Sequence, residues 1–218
     1  MIELVVVAVH QIAALLFELD TSVHKNDGVT DWAPPESETV YWRLYPRGPQ
    51  PTLFHHDWYV DHDQYPRGVA DMVGYWAESR ILGGVVLFDR RNPDAVPGAD
   101  PDAVYLHPDR YDLTYRICQL LPDQRNALLD FLLADEPPAT CPLPILPDEN
   151  NTLRVDPEEP IQATGIYRDL WERKELAPDA LDRRLKDVFS SLEYPTDADR
   201  HMSRKRAFER KWRIGYGN

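Results

Sequence analysis

Apolar residues near the start of the chain recur with helical spacing. Ile12, Leu15, Leu16 and Leu19 fall at i, i+3, i+4 and i+7, which predicts an amphipathic helix over about 8–24 with those residues on its packed face. The Lys25-Asn26-Asp27-Gly28 turn is its expected stop. The period then switches to two. Val40, Trp42 and Leu44 alternate with Tyr41, Arg43 and Tyr45, a strand pattern, and Thr52–Val60 reads as a second strand after a Gly-Pro break at 47–51, the pair forming a hairpin. Val69, Val73 and Trp76 return to helical spacing over 68–79. Ile81–Asp89 is a continuous apolar run that fits a central strand, and its Gly83-Gly84 pair signals a bulge or a close backbone approach. Short strands follow at Val104–His107 and Leu113–Cys118.

Pro122 suits the first turn of a helix whose apolar face is Leu128, Leu129, Leu132 and Leu133. Residues 136–160 hold seven prolines and little periodicity, so they read as an extended strap. Leu181, Leu185, Val188, Phe189 and Leu192 form a further helical stripe, and a last, weakly amphipathic helix is expected over about 197–213. The pattern predicts an α+β fold, one mixed domain with a mainly antiparallel sheet. The division is a core over 1–160, strap included, and a helical C-terminal extension over 161–218.

Composition is that of a globular chain, 43% hydrophobic and 28% charged over 218 residues, enough to bury a continuous core. Six Trp and eleven Tyr point to an aromatic core or pocket. The formal charge of −13 argues against a nucleic-acid partner, because phosphates reward clustered Lys and Arg. That charge is uneven: residues 1–163 carry 11 basic and 27 acidic side chains, residues 164–218 carry 13 and 10. A basic C-terminal helix docking on an acidic body, or on a protein partner, follows from this asymmetry. Cys118 and Cys141 are too few for a secreted disulfide framework. The opening residues lack a basic n-region and are interrupted by polar groups, so neither a signal peptide nor a membrane span is expected, and a soluble, cytoplasmic protein is.

One stretch carries a resemblance. Asp63-Gln64-Tyr65-Pro66, Gly74-Tyr75-Trp76-Ala77-Glu78 and Arg80-Ile81-Leu82-Gly83-Gly84-Val85-Val86-Leu87-Phe88-Asp89 resemble uncharacterised proteins of filamentous fungi, over most of residues 8–175. The resemblance implies a fungal, intracellular source and brings no activity with it.

The densest polar chemistry lies in Phe54-His55-His56-Asp57-Trp58-Tyr59-Val60-Asp61-His62-Asp63. As a strand, it would put His55, Asp57, Tyr59 and Asp61 on one face and His56, Trp58, Val60 and His62 on the other. His55 with Asp57, or His62 with Asp61 or Asp63, has the makings of a His–Asp acid/base pair. On the next helix, Tyr75 and Glu78 sit three apart and Asp71 and Tyr75 four apart, so a phenol and a carboxylate can share one cleft. Candidate catalytic residues are therefore His55, Asp57, His62, Asp63, Tyr75 and Glu78. Candidate substrate-binding residues are Trp58, Tyr59, Tyr65, Trp76, Arg80 and Arg116.

These groups suit a small-molecule-binding protein with an aromatic pocket, possessing the parts for metal-free isomerase, dehydratase or cyclase work on a small hydrophobic or aromatic molecule. An alternative uses metal. His55-x-Asp57, then His107, then Arg116 resembles the facial triad and cosubstrate arginine of iron- and 2-oxoglutarate-dependent oxygenases. The resemblance implies Fe(II) held by His55, Asp57 and His107, with 2-oxoglutarate paired to Arg116. The chain departs from that family in the partly helical stretch between the two histidines and in Pro108 directly after the second. A third class is a protein-interaction module, whose mark would be an apolar surface patch in place of a deep pocket.

Overall fold

The computed structural model describes residues 1–20, 32–44, 48–109, 114–136, 138–174 and 193–216. In chain order they form α1 (Ile2–Leu19), α2 (Thr39–Leu44), α3 (Val69–Ile81), β1 (Val85–Asp89), β2 (Val104–His107), β3 (Ile117–Gln119), α4 (Pro122–Leu133), β4 (Arg154–Val155), α5 (Ile161–Thr164), β5 (Ile166–Tyr167) and α6 (Asp197–Tyr216). The Lys25–Gly28 turn and the stripe from Leu181 to Leu192 lie outside the described residues.

The five strands make one antiparallel sheet in the order β4-β3-β2-β1-β5. Successive residues of β1 serve opposite faces. Val85 and Leu87 join an aromatic core with Tyr59, Tyr65, Met72, Tyr75 and Ile117, while Val86 and Phe88 join a second core with Ile2, Val6, Leu106, Cys118, Leu128 and Ile145. Burial on both faces is why β1 reads as an unbroken apolar run and not as an alternation. The sheet draws on chain from both sides of residue 160, since β5 pairs Tyr167 with Phe88 of β1. Among the described residues that follow β5, the long helix is α6.

The Pro-rich strap is fastened to the body. Ile145 is buried in the second core, and its N–H donates to the Leu82 carbonyl at 2.8 Å. A Cβ at Gly83 would lie 1.9 Å from the Ile145 carbonyl oxygen, and Gly83 has φ +102°, so the predicted close approach at Gly83-Gly84 is between the β1 entry turn and the strap. Pro122 opens α4, where Gln124 accepts the Leu121 N–H at 3.0 Å. Leu128 is buried, Leu129 and Leu132 pack beside it, and Leu133 is exposed.

Two predicted strands are not strands. Residues 39–44 form α2, with the Trp42 N–H donating to Glu38 O at 3.2 Å and the Trp42 indole to Pro35 O at 3.1 Å. A period-two pattern over five residues also fits a short helix, and among the described residues no strand pairs with it. Residues 52–60 are a series of turns. Phe54 N–H donates to Thr52 Oγ1, Trp58 N–H to His56 Nδ1 and Tyr59 N–H to His56 O, so side chains and local carbonyls take the bonds a ladder would have used. His56, Trp58 and Tyr59 are all buried, and the predicted two-faced arrangement is lost.

The first helix is real, but its packed face differs from the predicted one. α1 lies against α3 through Ile2, Val6, His10 and Ala14, a stripe at four-residue spacing. Ile12, Leu15, Leu16 and Leu19 point outward, 57%, 46%, 62% and 77% exposed. The helix is apolar nearly all round, so periodicity could not choose a side; the side carrying His10 was chosen by a buried polar partner. α1 is also, among the described helices, the one long and apolar enough to cross a membrane by length and composition.

Candidate functional site

The aromatic residues expected around a pocket converge, and they fill the space. Tyr59 stacks on Tyr75 with ring centroids 4.6 Å apart, and Tyr65 meets Tyr75 edge-on at 5.5 Å. Tyr59, Tyr65, Tyr75 and Trp58 are buried members of one core. His107 joins them in a defined tautomer: its Nε2–H donates to Tyr115 O at 3.2 Å, so its Nδ1 accepts the Tyr59 hydroxyl at 3.1 Å. His56 donates from Nε2 to His107 O at 3.3 Å and accepts the Trp58 N–H on Nδ1. Burial pushes the His56 pKa down to about 4, so this imidazole is neutral.

The predicted His–Asp pairs lie outside that core. His55 Nε2 is 3.7 Å from Asp57 in the partly open 52–57 loop, with His55 Nδ1–H donating to Thr52 O. Asp63 pairs with Lys174, whose backbone N–H donates to Asp61 at 3.2 Å. Trp76 packs on Phe54, and Arg80 pairs with Asp109 at 3.1 Å. Asp109 feels His55 and Asp57, and burial raises its carboxyl above the usual range. Both ring nitrogens of His107 being engaged, His55, Asp57 and His107 do not form a metal-holding set, and no group of three or more His, Cys, Asp or Glu among the described residues does.

Glu78, Tyr75 and Asp71 belong to a cluster whose other members, His10 and the residues from Arg168 to Arg173, the sequence pattern did not point to. His10 Nδ1–H donates to Glu78 at 2.7 Å and its Nε2–H to Asp71 at 3.1 Å. Burial alone would lower the His10 pKa; the two carboxylates outweigh it and the repulsion of Arg168, and hold the imidazolium above its ordinary 6.5. Arg168 Nη1 donates to Glu78 at 2.8 Å, its Nε to Asp169 at 2.9 Å, and its guanidinium lies over the Tyr75 ring. Glu172 accepts the N–H groups of Arg168 and Asp169 and the Nε–H of Arg173. Glu78 also receives the Val86 N–H at 3.4 Å. This cluster ties α1, α3 and the segment after β5 to one another, with His10, Asp71, Glu78, Arg168 and Glu172 buried and Asp169 at its edge. The available signal was His10 itself, in register with Val6 and Ala14 at i ± 4 on an otherwise apolar helix.

Open space is found elsewhere, in a cleft of about 460 Å³ between the β3–β4 edge and α6. The predicted residue Arg116 forms its floor. Arg116 Nε is 2.8 Å from Asp156, its Nη1 donates to Glu193 O at 2.8 Å, its Nη2 to Arg154 O at 3.2 Å, and its guanidinium covers the Tyr194 ring at 4.7 Å. The Tyr194 hydroxyl donates to Asp156 at 2.9 Å and contacts the Tyr115 hydroxyl at 3.1 Å. Burial, then Asp156, pushes the Tyr194 phenol up, so it stays a hydrogen-bond donor. Burial likewise raises the Glu193 carboxyl. α6 is seated by a reciprocal cap in which Asp199 N–H donates to Thr196 Oγ1 and Thr196 N–H to Asp199. Leu153, Met202 and Arg206 line the cleft. Sequence could name Arg116, but not the partners that chain topology brings from residues 149–156 and 193–206.

The fold and these sites define an α+β protein on a five-stranded antiparallel sheet, with a filled aromatic core and one described cleft beside it. Compared with known proteins, the chain matches no family model, no curated protein and no solved structure.

Proposed function

We propose that this chain is a small-molecule-binding protein whose site is the cleft floored by Arg116. The observation that supports the reading is a cavity of about 460 Å³, within the range of ligand sites, over a floor whose charged groups are held by one another. A preorganised floor spares the cost of ordering side chains on binding. The lining suits a small molecule with both a polar end and an apolar part: Arg206 and Ser203 beside the first, Leu153, Pro195 and Met202 beside the second. Arg116 acts as a fixed donor, while Tyr194 spends its one O–H on Asp156 and holds the floor in place, which favours binding and orientation over proton transfer.

The test is thermal denaturation of the whole chain with benzoate, glutamate, agmatine and 4-hydroxyphenylacetate, comparing wild type with Leu153→Trp, which fills the cleft from an exposed position. A ligand at about 100 times its dissociation constant adds about 2.7 kcal/mol of stability. Stabilisation of wild type that disappears in Leu153→Trp, with the ligand-free melting temperature unchanged, supports the reading. Stabilisation retained in Leu153→Trp places the ligand elsewhere and overturns it. A protein-interaction role has its own observation, the outward face of α1, which is independent of the cleft.

A further inference from the structure

We propose that the outward face of α1 docks on α1 of a second copy of this chain, the two helices antiparallel about a two-fold axis. Each polar side chain of α1 is already engaged by the body. Glu3 pairs with Arg90, Glu18 with Arg67, Gln11 accepts Arg67 Nη1 at 2.9 Å, and His10 is bound to Asp71 and Glu78. What remains outward is apolar, with Leu4, Ile12, Leu16 and Leu19 all more than half exposed. The surface they open is on the order of several hundred Å², beyond the scatter of single apolar residues on an ordinary surface. That is the scale of the roughly 800 Å² that each partner contributes to a standard interface.

The spacing of this face identifies another helix as its occupant. Met1, Val5, Ala8, Ile12, Leu15 and Leu19 alternate four and three apart, the seam along which two helices interlock. The face that packs on α3 follows a different rule, every fourth residue. The outward spacing also reads the same in both directions. Laid antiparallel on itself, the seam sets Ala8 against Ile12, Val5 against Leu15 and Met1 against Leu19, while Leu4 of the flank meets Leu16. A small residue opposite a branched one is the complementarity a two-fold contact needs, and self-complementarity is what an isologous interface demands.

Charge separates this occupant from a lipid surface. An interfacial helix carries Lys or Arg on its polar face, whereas α1 has no Lys or Arg, and of the Trp, Tyr and Phe rings it has Phe17 alone. The chain as a whole carries −13, which an anionic leaflet repels.

The experiment is sedimentation equilibrium of the full chain across the micromolar range, with Ile12→Glu beside wild type. Position 12 is exposed in the single chain, so the variant is expected to fold, and its melting temperature, measured alongside, should match wild type once both are diluted below the dimer dissociation constant. The expected result is a wild-type mass of twice 25.2 kDa, with the dimer dissociation constant raised at least a hundredfold in Ile12→Glu. In a Cys141→Ser background, mixing Ala8→Cys with Ile12→Cys chains is expected to give a disulfide between the two positions faster than Ile12→Cys links to itself. A wild type that is monomeric throughout overturns the proposal, as does a dimer that Ile12→Glu leaves intact. Flotation of the monomer with phosphatidylcholine or mixed phosphatidylglycerol vesicles, lost in Ile12→Glu, assigns the face to lipid and also overturns it. Faster self-linking of Ile12→Cys overturns the antiparallel arrangement.

Discussion

The imidazole of His10 occupies the space that a side chain on Gly74 would need: a Cβ there would lie 2.6 Å from His10 Cε1 and Nε2. Gly74 sits inside α3, where glycine costs about 1 kcal/mol relative to alanine, and the helix tolerates it because the ring must pass close to its backbone. Gly74→Ala therefore sets a propensity gain against a clash with a ring fixed by Glu78 and Asp71. The clash is expected to win, with a net loss of about 1–3 kcal/mol. Urea denaturation measures this directly; a stabilised variant would show that the ring can shift freely.

Glu78 holds His10 and Arg168 together in a buried site. Glu78→Ala leaves both cations without their shared carboxylate, and a loss of about 3–5 kcal/mol is expected. His10→Ala and Glu78→Ala should be non-additive, since each removes the same contact. A double-mutant cycle by chemical denaturation checks this, and additive losses would count against direct coupling.

The two buried histidines make stability fall in opposite directions from the free imidazole value of about 6.5. His56 is neutral in the fold, with a pKa of about 4, while in the unfolded chain it takes up a proton near 6.5. Its contribution is lost as pH falls from about 6.5 to 4, on the order of 3 kcal/mol. His10 has its pKa raised in the fold, so its contribution is complete below about 6.5 and is lost as pH rises through the folded value. Unfolding free energies followed below and above pH 6.5 should show both limbs, and His10→Gln should flatten the upper one selectively.

Gly83 meets the strap at a distance no side chain fits and at a φ of +102°. Gly83→Ala is expected to add about 1–3 kcal/mol of backbone strain and to lift Ile145 from the second core. Limited proteolysis should then cut within 138–153 sooner than in wild type, while the wild-type strap resists. Equal cleavage rates would mean that the strap is not held at this point.

Much of the framework was legible in local pattern. β2 and the start of α4 coincide with their predicted positions, and the apolar run into Asp89 did mark an internal strand, because each of these is decided by its own residues: a short apolar run, a proline at a helix start, burial on both faces. The candidate site was legible only in fragments. Tyr59, Tyr65, Tyr75 and Glu78 do converge, yet as a packed interior, and Arg116 meets a cleft whose other wall is supplied by chain roughly 80–90 residues away.

What the sequence by itself determined is that the fold mixes helix and strand, and where α3, β2 and the start of α4 lie, since side-chain period and turn chemistry are local quantities. What only the tertiary structure decided is orientation and partnership. It turned α1 so that His10 faces Glu78 and Ile12 faces outward, because an all-round apolar helix gains similarly from either side and a buried charge must find its partners. It also resolved residues 52–60 into turns, because Thr52 and His56 satisfy the local backbone there and, among the described residues, no strand arrives to pair with it.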